Sequence, residues 1–327
     1  MKVSGIRGDA EIRYSLRSLV RSWGDGAPRD QTSLFVLVAT TQSQTWVTMD
    51  ALYVFRHSRF NDIEIRYSLR SIAQHMPWVR KVWIVGDRPE FLTGDTSLIQ
   101  HVPHEYAARV GNFRTPVTNL FLQIFLSSLI PGLDHEYLLF CDDFFLLRPY
   151  GIGEARKVRY LQDLSQVKNR GDGLWRDSLW RTYDLLKRLK YTGYNFETHT
   201  PTYLRRRWVF EAYCDFRDFV SQDRWYGLLG ITAILNHAYR HHKIDLVHLE
   251  AEGLRGGFWG APSPDYDAVV EACRGKAFLN FDDHAFGPGL IQFLARQFPA
   301  PCRYERADDT ATAPPAAAFQ TVIQVGA

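Results

Sequence analysis

The chain has 327 residues, of which 46% are apolar and 23% are charged, and its net charge is +3. This composition indicates a globular protein of one large domain or two packed lobes. No apolar run reaches the ~20 residues that a membrane span needs, and residues 1–30 lack a signal-peptide core. We therefore expect a cytoplasmic protein, which is compatible with peripheral membrane contact. Four widely spaced cysteines without a CxxC pair argue against a cysteine zinc site and a disulfide framework.

Residues 1–48 form an N-terminal extension that contains a partial duplication. Glu11 to Ser18 has the same eight residues, in the same order, as Glu64 to Ser71. Two copies do not make a solenoid, so a local duplication explains the repeat better. Residues 34–39 could add a strand. Since no matching strand directly precedes the first copy, we expect that copy to be dispensable for chemistry.

Residues 49–150 alternate between strand-like and helix-like segments. This alternation predicts a mostly parallel sheet flanked by helices, a Rossmann-like α/β core. Asp62 is placed to cap the first helix. The predicted strands are 51–55, 81–85, 98–102 and 137–141, and the predicted helices are 62–75 and 117–129.

Two adjacent carboxylates, Asp142 and Asp143, follow the most apolar of these strands. Ligands of open α/β sheets bind outside the carboxyl ends of the strands. Paired carboxylates there repel each other unless a cation or hydrogen-bond donors neutralise them. Mg²⁺ or Mn²⁺ binds one or two such carboxylates and completes its shell with water and phosphate oxygens. The alternative is a turn cap next to a solvated aspartate.

Residues 151–306 are expected to be richer in helix and to complete the site on the acceptor side. Residues 160–192 and 204–219 read as helices, 227–237 as an apolar stretch, 253–264 as a loop, 277–280 as a strand and 290–298 as a helix. The basic and aromatic stretch from Trp175 to Trp208 fits a polyanionic acceptor or, equally, a solvated helix pair. Residues 307–327 have the composition of a disordered tail.

Several blocks of the chain resemble the Stealth family, which comprises bacterial capsule and cell-wall polymer enzymes and the animal N-acetylglucosamine-1-phosphotransferase of lysosomal enzymes. The most specific block runs from Asp62 to Ile72 and continues from Pro77 to Val85. Weaker blocks are the strand before Asp142-Asp143, the stretch from Glu197 to Pro201 with its His-Thr-Pro, and Phe298 to Glu305. Together they cover roughly residues 49–305.

This resemblance implies a nucleotide-sugar donor, with UDP-sugars favoured, and a divalent metal, Mg²⁺ or Mn²⁺. Stealth enzymes carry Thr-Trp-Val-Asp-Gly after their first strand, whereas Arg56, His57 and Ser58 follow it here. Because that acidic residue is missing, we expect a GT-A-like glycosyltransferase first and a Stealth-type sugar-1-phosphate transferase second. A non-catalytic carbohydrate- or nucleic-acid-binding protein is the third alternative. A surface glycan, a lipid-linked glycan or a modified nucleic acid would fit as the acceptor.

The expected site residues fall into three groups. For donor binding we expect cationic and polar groups at phosphate or uracil: Arg56, His57, Arg59, Arg66, Arg70 and Asp142. Asp142 and Asp143 are the metal ligands, and Asp143 also counts as catalytic. By analogy with the family, Glu197 or His199 accepts the acceptor's proton, and the His-Thr-Pro resemblance favours His199. Asp282, Asp283 and His284 could add metal or phosphate contacts, or simply cap a helix.

Overall fold

The structure is a computed structural model, and it describes residues 48–168, 173–221 and 227–307. The first repeat copy, the strand expected at 34–39 and nearly all of the expected disordered tail lie outside these residues. All of the described residues belong to one compact unit. Within the described residues no helix is long and apolar enough to cross a membrane.

Up to β4 the described residues follow the order β1-α1-β2-β3-α2-α3-β4, and short strands and helices are mixed after it. The strands are β1 Met49–Phe55, β2 Val79–Gly86, β3 Ile99–Val102, β4 Glu136–Phe140, β5 Phe145–Leu146, β6 Val158–Tyr160, β7 Thr202–Arg205, β8 Leu246–His248, β9 Arg255–Phe258 and β10 Phe278–Phe281. The helices are α1 Ile63–His75, α2 His104–Val110, α3 Leu120–Ser128, α4 Ile152–Ala155, α5 Gly173–Arg188, α6 Arg206–Phe216, α7 Gly230–His242, α8 Leu249–Glu252, α9 Tyr266–Cys273 and α10 Pro288–Gln297. Short 3₁₀ turns span Leu164–Gln166 and Arg217–Phe219.

The central sheet has five strands in the order β3-β2-β1-β4-β7. The first four run parallel, and β7 pairs with β4 antiparallel. The chain moves from β1 outward to β3 and then returns to place β4 on the other side of β1. This reversal creates a topological switch point between β1 and β4, where ligands of open α/β sheets bind. The mostly parallel α/β core with flanking helices is confirmed.

Strand β7 corrects the sequence prediction, which extended one helix over 204–219. Thr202 to Leu204 are buried because they pair with β4, and the helix α6 begins only at Arg206. Residues predicted to begin the helix instead form the edge strand of the central sheet. This pairing depends on tertiary contacts, which local propensity cannot predict. The C-terminal portion therefore completes the central sheet. The loop expected at 253–264 likewise contains strand β9.

A second sheet of three strands, β5-β10-β9, packs at the carboxyl end of β4. Strand β10 pairs antiparallel with β5, which begins two residues after Asp143. This pairing places Asn280 of β10 beside that aspartate. The main hydrophobic core contains the strands of the central sheet and the helices that pack on them. A second apolar cluster joins α9, α10 and the second sheet.

Candidate active site

The segments that follow β1 and β4 meet at the switch point. Arg56 and His57 follow β1, and Cys141, Asp142 and Asp143 follow β4. Strand β1 pairs with both β2 and β4, so their carboxyl ends lie at one edge of the sheet. The apolar strands supply a rigid floor, and the polar groups begin where the strands end.

Asp143 is held by a residue that the sequence prediction missed. Its Oδ2 accepts a hydrogen bond of 2.5 Å from Asn280 Nδ2, and Asn280 is fully buried. Burial raises the pKa of Asp143 well above its usual range, and the neighbouring charge of Asp142 raises it further. The amide fixes one carboxylate oxygen without supplying a charge. The only hint in the sequence is a polar residue inside the apolar run of β10.

Asp142 and Glu64 are two further carboxyl groups in this acidic site. Burial raises the pKa of Asp142 to about 6, and the charge of Asp283 adds to the shift. Burial raises the pKa of Glu64 to about 7 although Ser58 Oγ donates to Glu64 Oε2 at 2.8 Å, and the charge of Asp142 adds to the shift. When ionised, Asp142, Asp143 and Glu64 repel one another in a partly desolvated site. A bound cation would reduce this repulsion.

Asp62 precedes α1 as expected, but it does not cap the helix with its side chain. Its backbone is left-handed at φ 60°, and its carboxylate turns back to the loop after β1. There Asp62 Oδ1 accepts from the Ser58 amide at 3.0 Å, and Oδ2 lies 2.7 Å from His57 Nδ1. The His57 amide donates to Asp87 Oδ2 at 2.9 Å. Asp62 and Asp87 therefore shape the loop that carries the expected donor-binding residues.

Arg59 and the Asp282-Asp283-His284 turn lie at the rim of the site. Arg59 donates to the Asp283 carbonyl at 2.8 Å and lies 3.8 Å from its carboxylate. Asp282 Oδ1 accepts from the amides of His284 and Ala285, so Asp282 serves the turn. Asp283 contributes negative charge near Asp142 and Glu64. Of these three residues, Asp283 is the one whose charge raises the pKa of Asp142 and Glu64. The His284 side chain is exposed.

Arg66 and Arg70 correct our expectation of a donor-binding pair on α1. Arg70 is 4% exposed and binds Glu305 with two hydrogen bonds of 2.6 and 2.7 Å. It also donates to the Phe298 carbonyl at 3.1 Å. Arg66 lies 3.7 Å from the same Glu305 and over the Phe91 ring. Arg70 therefore has no exposed face for a phosphate, and both arginines tie α1 to the C-terminal segment.

A cleft of about 950 Å³ opens beside the carboxyl ends of β1 and β2. Its walls come from both strand ends, from the first turns of α3 and α5, from the segment 227–229 before α7, and from Glu197. Arg56, Asp87, His104, Gln123, Trp175 and Ser178 contribute the larger polar and aromatic side chains. A volume of this size fits a nucleotide-sized ligand, since small-molecule sites usually measure roughly 300–1,000 Å³.

Glu197 and His199 lie on the loop before β7, as the sequence placed them. Glu197 lines the cleft, and its Oε1 accepts from the Thr232 amide at 3.1 Å. Burial raises the pKa of Glu197. His199 has a left-handed backbone at φ 53°, and its ring packs edge-on to Phe144 and Trp259. Burial lowers the pKa of His199 to about 4, and the positive charge of Arg255 lowers it further. The imidazole is therefore neutral at pH 7, the form that can accept a proton, but its lowered pKa makes it a weaker base than an exposed histidine.

The residues present fit a hard divalent cation. Asp142 and Asp143 offer carboxylate oxygens, the ligands that Mg²⁺ and Mn²⁺ prefer. Burial raises the pKa of both carboxyls, and a bound cation would favour their ionised form. Asn280 Oδ1 is buried without a hydrogen-bond partner within the described part of the chain. An unpartnered amide oxygen beside two carboxylates is what a cation or its water would satisfy.

Comparisons with known proteins point to one family. Residues 59–159 match the model of conserved region 2 of the Stealth proteins. The chain is 30% identical over 178 residues to the capsular polysaccharide phosphotransferase of Actinobacillus suis, covering 49% of this chain and 45% of that protein. It is 27% identical over 170 residues to that of Actinobacillus pleuropneumoniae, covering 47% and 43%.

A human relative is matched over a shorter stretch. The alpha/beta subunits of human N-acetylglucosamine-1-phosphotransferase are 36% identical over 93 residues, which is 26% of this chain and 7% of the human protein. The chain thus spans less than half the length of the relatives compared here. The matched region 59–159 contains α1, β2, β4 and the Asp142-Asp143 pair. The chain therefore carries conserved region 2 of the Stealth proteins and is a relative of their capsular polysaccharide phosphotransferases.

Proposed function

We propose that the protein is a nucleotide-sugar-dependent transferase that adds a sugar-1-phosphate to a hydroxyl of a surface polysaccharide. The observation that carries this proposal is the group of partly buried carboxylates at the β1–β4 switch point, near a nucleotide-sized cleft. The names of the relatives favour phosphotransfer over the plain glycosyl transfer that the sequence placed first.

In the donor half, the nucleotide occupies the cleft. Arg56 supplies positive charge at the end of β1, and Trp175, which also lines the cleft, offers an aromatic side chain. The diphosphate extends toward Asp142 and Asp143, where its negative charge needs a counterion. Mg²⁺ or Mn²⁺ held by these two carboxylates would neutralise the charge that develops on the leaving group. Asn280 keeps the Asp143 carboxylate in one orientation.

In the acceptor half, His199 takes the proton of the attacking hydroxyl. Its ring packs against Phe144, the residue directly after Asp143, so it lies beside the metal-binding carboxylates. Arg255 donates to the Thr198 carbonyl at 3.0 Å, which fixes the backbone next to His199. Glu197 is the second candidate for this proton because it lines the cleft and its pKa is raised.

Trp259 is a natural platform for the acceptor. Its side chain lies 6.1 Å from the His199 ring, centroid to centroid, and the residue is 51% exposed. Arg255 stacks over the same indole at 5.2 Å. An exposed ring beside the proton acceptor can support a sugar ring of the polymer while its hydroxyl reaches His199.

The reaction we propose breaks one bond of the donor and forms one. The acceptor oxygen attacks the β-phosphorus, the bond from that phosphorus to the bridging oxygen breaks, and the nucleoside monophosphate leaves with the electron pair. Plain glycosyl transfer is the second candidate: attack falls on the sugar carbon, and nucleoside diphosphate leaves. The absence of the Stealth first-block acidic residue after β1 favours this second reaction.

Nucleotide release from a panel of UDP-sugars and other nucleotide sugars tests the proposal. We expect Mg²⁺- or Mn²⁺-dependent release by the wild type and a large loss for Asp143→Asn and Arg56→Ala. Arg207→Ala, on the exposed face of α6 and paired with Glu211, is the matched control and should turn over donor normally. If no donor is consumed by a folded wild-type protein in the presence of a capsular acceptor, the proposal is wrong.

A further inference from the structure

A second cluster of metal-ligating side chains lies between α6 and α7. His237 and His241 are one turn apart on α7, and Asp215 lies near the end of α6. His237 Nε2 is 2.9 Å from Asp215 Oδ2, and one potential ligand atom from each of these three residues lies within 4.8 Å of the other two. The Tyr191 hydroxyl joins them, 3.1 Å from Asp215 Oδ2 and 3.3 Å from His241 Nε2.

The potential ligand atoms of this cluster, two imidazole nitrogens and a carboxylate oxygen, suit a transition metal better than magnesium. Imidazole nitrogen suits Zn²⁺, Cu²⁺, Ni²⁺ and Fe²⁺, whereas Mg²⁺ prefers oxygen. Tetrahedral Zn²⁺ with bonds of about 2.0–2.1 Å places its ligand atoms roughly 3.3 Å apart. Asp215 Oδ2 and His237 Nε2 are already 2.9 Å apart, and the ligand atoms of all three residues lie within 4.8 Å of one another, so side-chain rotations can close the site.

Ordinary hydrogen bonding explains this cluster only in part. His237 Nε2 has Asp215 as its partner, whereas His237 Nδ1, on the side of the ring away from that contact, is buried without a hydrogen-bond partner among the described residues. Packing against Phe216 and Tyr191 holds the ring with centroids 5.7 Å from each, and its other nitrogen points at Asp215. Asp215 and His241 are exposed, which leaves one side of the cluster open to water or a further ligand.

We propose that Asp215, His237 and His241 bind one divalent transition-metal ion, with Zn²⁺ the best fit. The ion links α6 to α7, and water or the Tyr191 hydroxyl takes the fourth position. The residues lining the donor cleft, as far as the structure describes them, include none of these ligands. The proposal therefore stands independently of the proposed transferase activity.

Zinc binding by the metal-stripped full-length protein tests the proposal. We expect one tightly bound Zn²⁺ by elemental analysis, tetrahedral visible absorption on Co²⁺ substitution, and a rise in the thermal unfolding temperature with zinc. His241→Gln and Asp215→Asn should each weaken zinc binding at least tenfold and abolish the rise in unfolding temperature. Both residues are exposed, so these variants should fold.

His242→Gln is the matched control, since His242 is the next residue on α7 and pairs with Glu211 outside the cluster. Asp143→Asn is the second control because it disables the proposed transferase site alone. Both controls should retain the zinc. Equal zinc affinity in the wild type, His241→Gln and Asp215→Asn, or no stoichiometric zinc in the wild type, would overturn the proposal.

Discussion

Replacing Asp142 by asparagine should stabilise the metal-free protein while it removes activity. The pKa of Asp142 is raised from 3.8 to about 6, chiefly by burial. One pKa unit corresponds to about 1.4 kcal/mol, so ionising this carboxyl in the folded state costs about 3 kcal/mol at neutral pH. Asparagine has nearly the same shape and carries no charge, so it avoids this cost.

The sign and the pH window follow from the direction of the shift. The folded protein binds the Asp142 proton more tightly than the unfolded chain does, so stability falls as pH rises between about 4 and 6. The wild type and Asp142→Asn should therefore have similar stability at pH 4. The variant should be up to about 3 kcal/mol more stable above pH 6, with neighbouring carboxylates reducing the difference.

Urea unfolding in EDTA at pH 4.5, 6.0 and 7.5 measures this effect. Asp50→Asn is the matched control, since Asp50 is a fully buried carboxylate that accepts bonds from Arg80, Trp83 and the Asp134 amide. Neutralising that well-bonded carboxylate should destabilise the protein by about 3 kcal/mol or more. If Asp142→Asn is no more stable than the wild type at pH 7.5, ionising Asp142 in the folded protein does not carry the free-energy cost that its raised pKa implies.

The remaining predictions concern the metal, the proton acceptor and the C-terminal segment. EDTA should abolish transfer, and Asp143→Asn should lower its rate by about 10²-fold or more while the fold survives; full activity with the ion demonstrably absent would exclude the metal. His199→Ala should slow transfer to the acceptor far more than hydrolysis of the donor by water, whereas an equal loss in both assays would move His199 to the donor half. Glu305→Gln should lower the unfolding free energy by about 3–5 kcal/mol, because it leaves the buried Arg70 without its counterion; an unchanged unfolding temperature would show that this pair does not anchor the C-terminal segment.

Much of the α/β core was predictable because its signals are local. Each parallel strand of 49–150 is an apolar run, and polar residues mark where the run ends, so β1 to β4 and α1 were found within a few residues. The Asp142-Asp143 pair was placed at a strand end for the same reason. Strand β7 was missed because an edge strand paired to β4 carries no pattern that separates it from the helix that follows.

Long-range contacts explain the other differences. Arg70 was expected to bind the donor, yet Glu305, 235 residues later in the chain, pairs with it in the protein interior. Asn280 and Asp143 are 137 residues apart and meet only because β10 pairs with β5. Glu64 reads as an ordinary first-turn acid, and only the packing of the segment after β4 against α1 makes it a buried carboxyl of the site.

The chemistry of the acceptor product tests the central claim most directly. The wild-type protein is incubated with a nucleotide sugar, Mg²⁺ or Mn²⁺ and a capsular oligosaccharide, and the product is measured by mass spectrometry and phosphorus NMR. The account predicts a mass gain of one sugar plus one phosphate, a phosphodiester signal, and release of an equal amount of nucleoside monophosphate. A product that gains a sugar without phosphorus, with nucleoside diphosphate released, would contradict phosphotransfer and support glycosyl transfer at the same site.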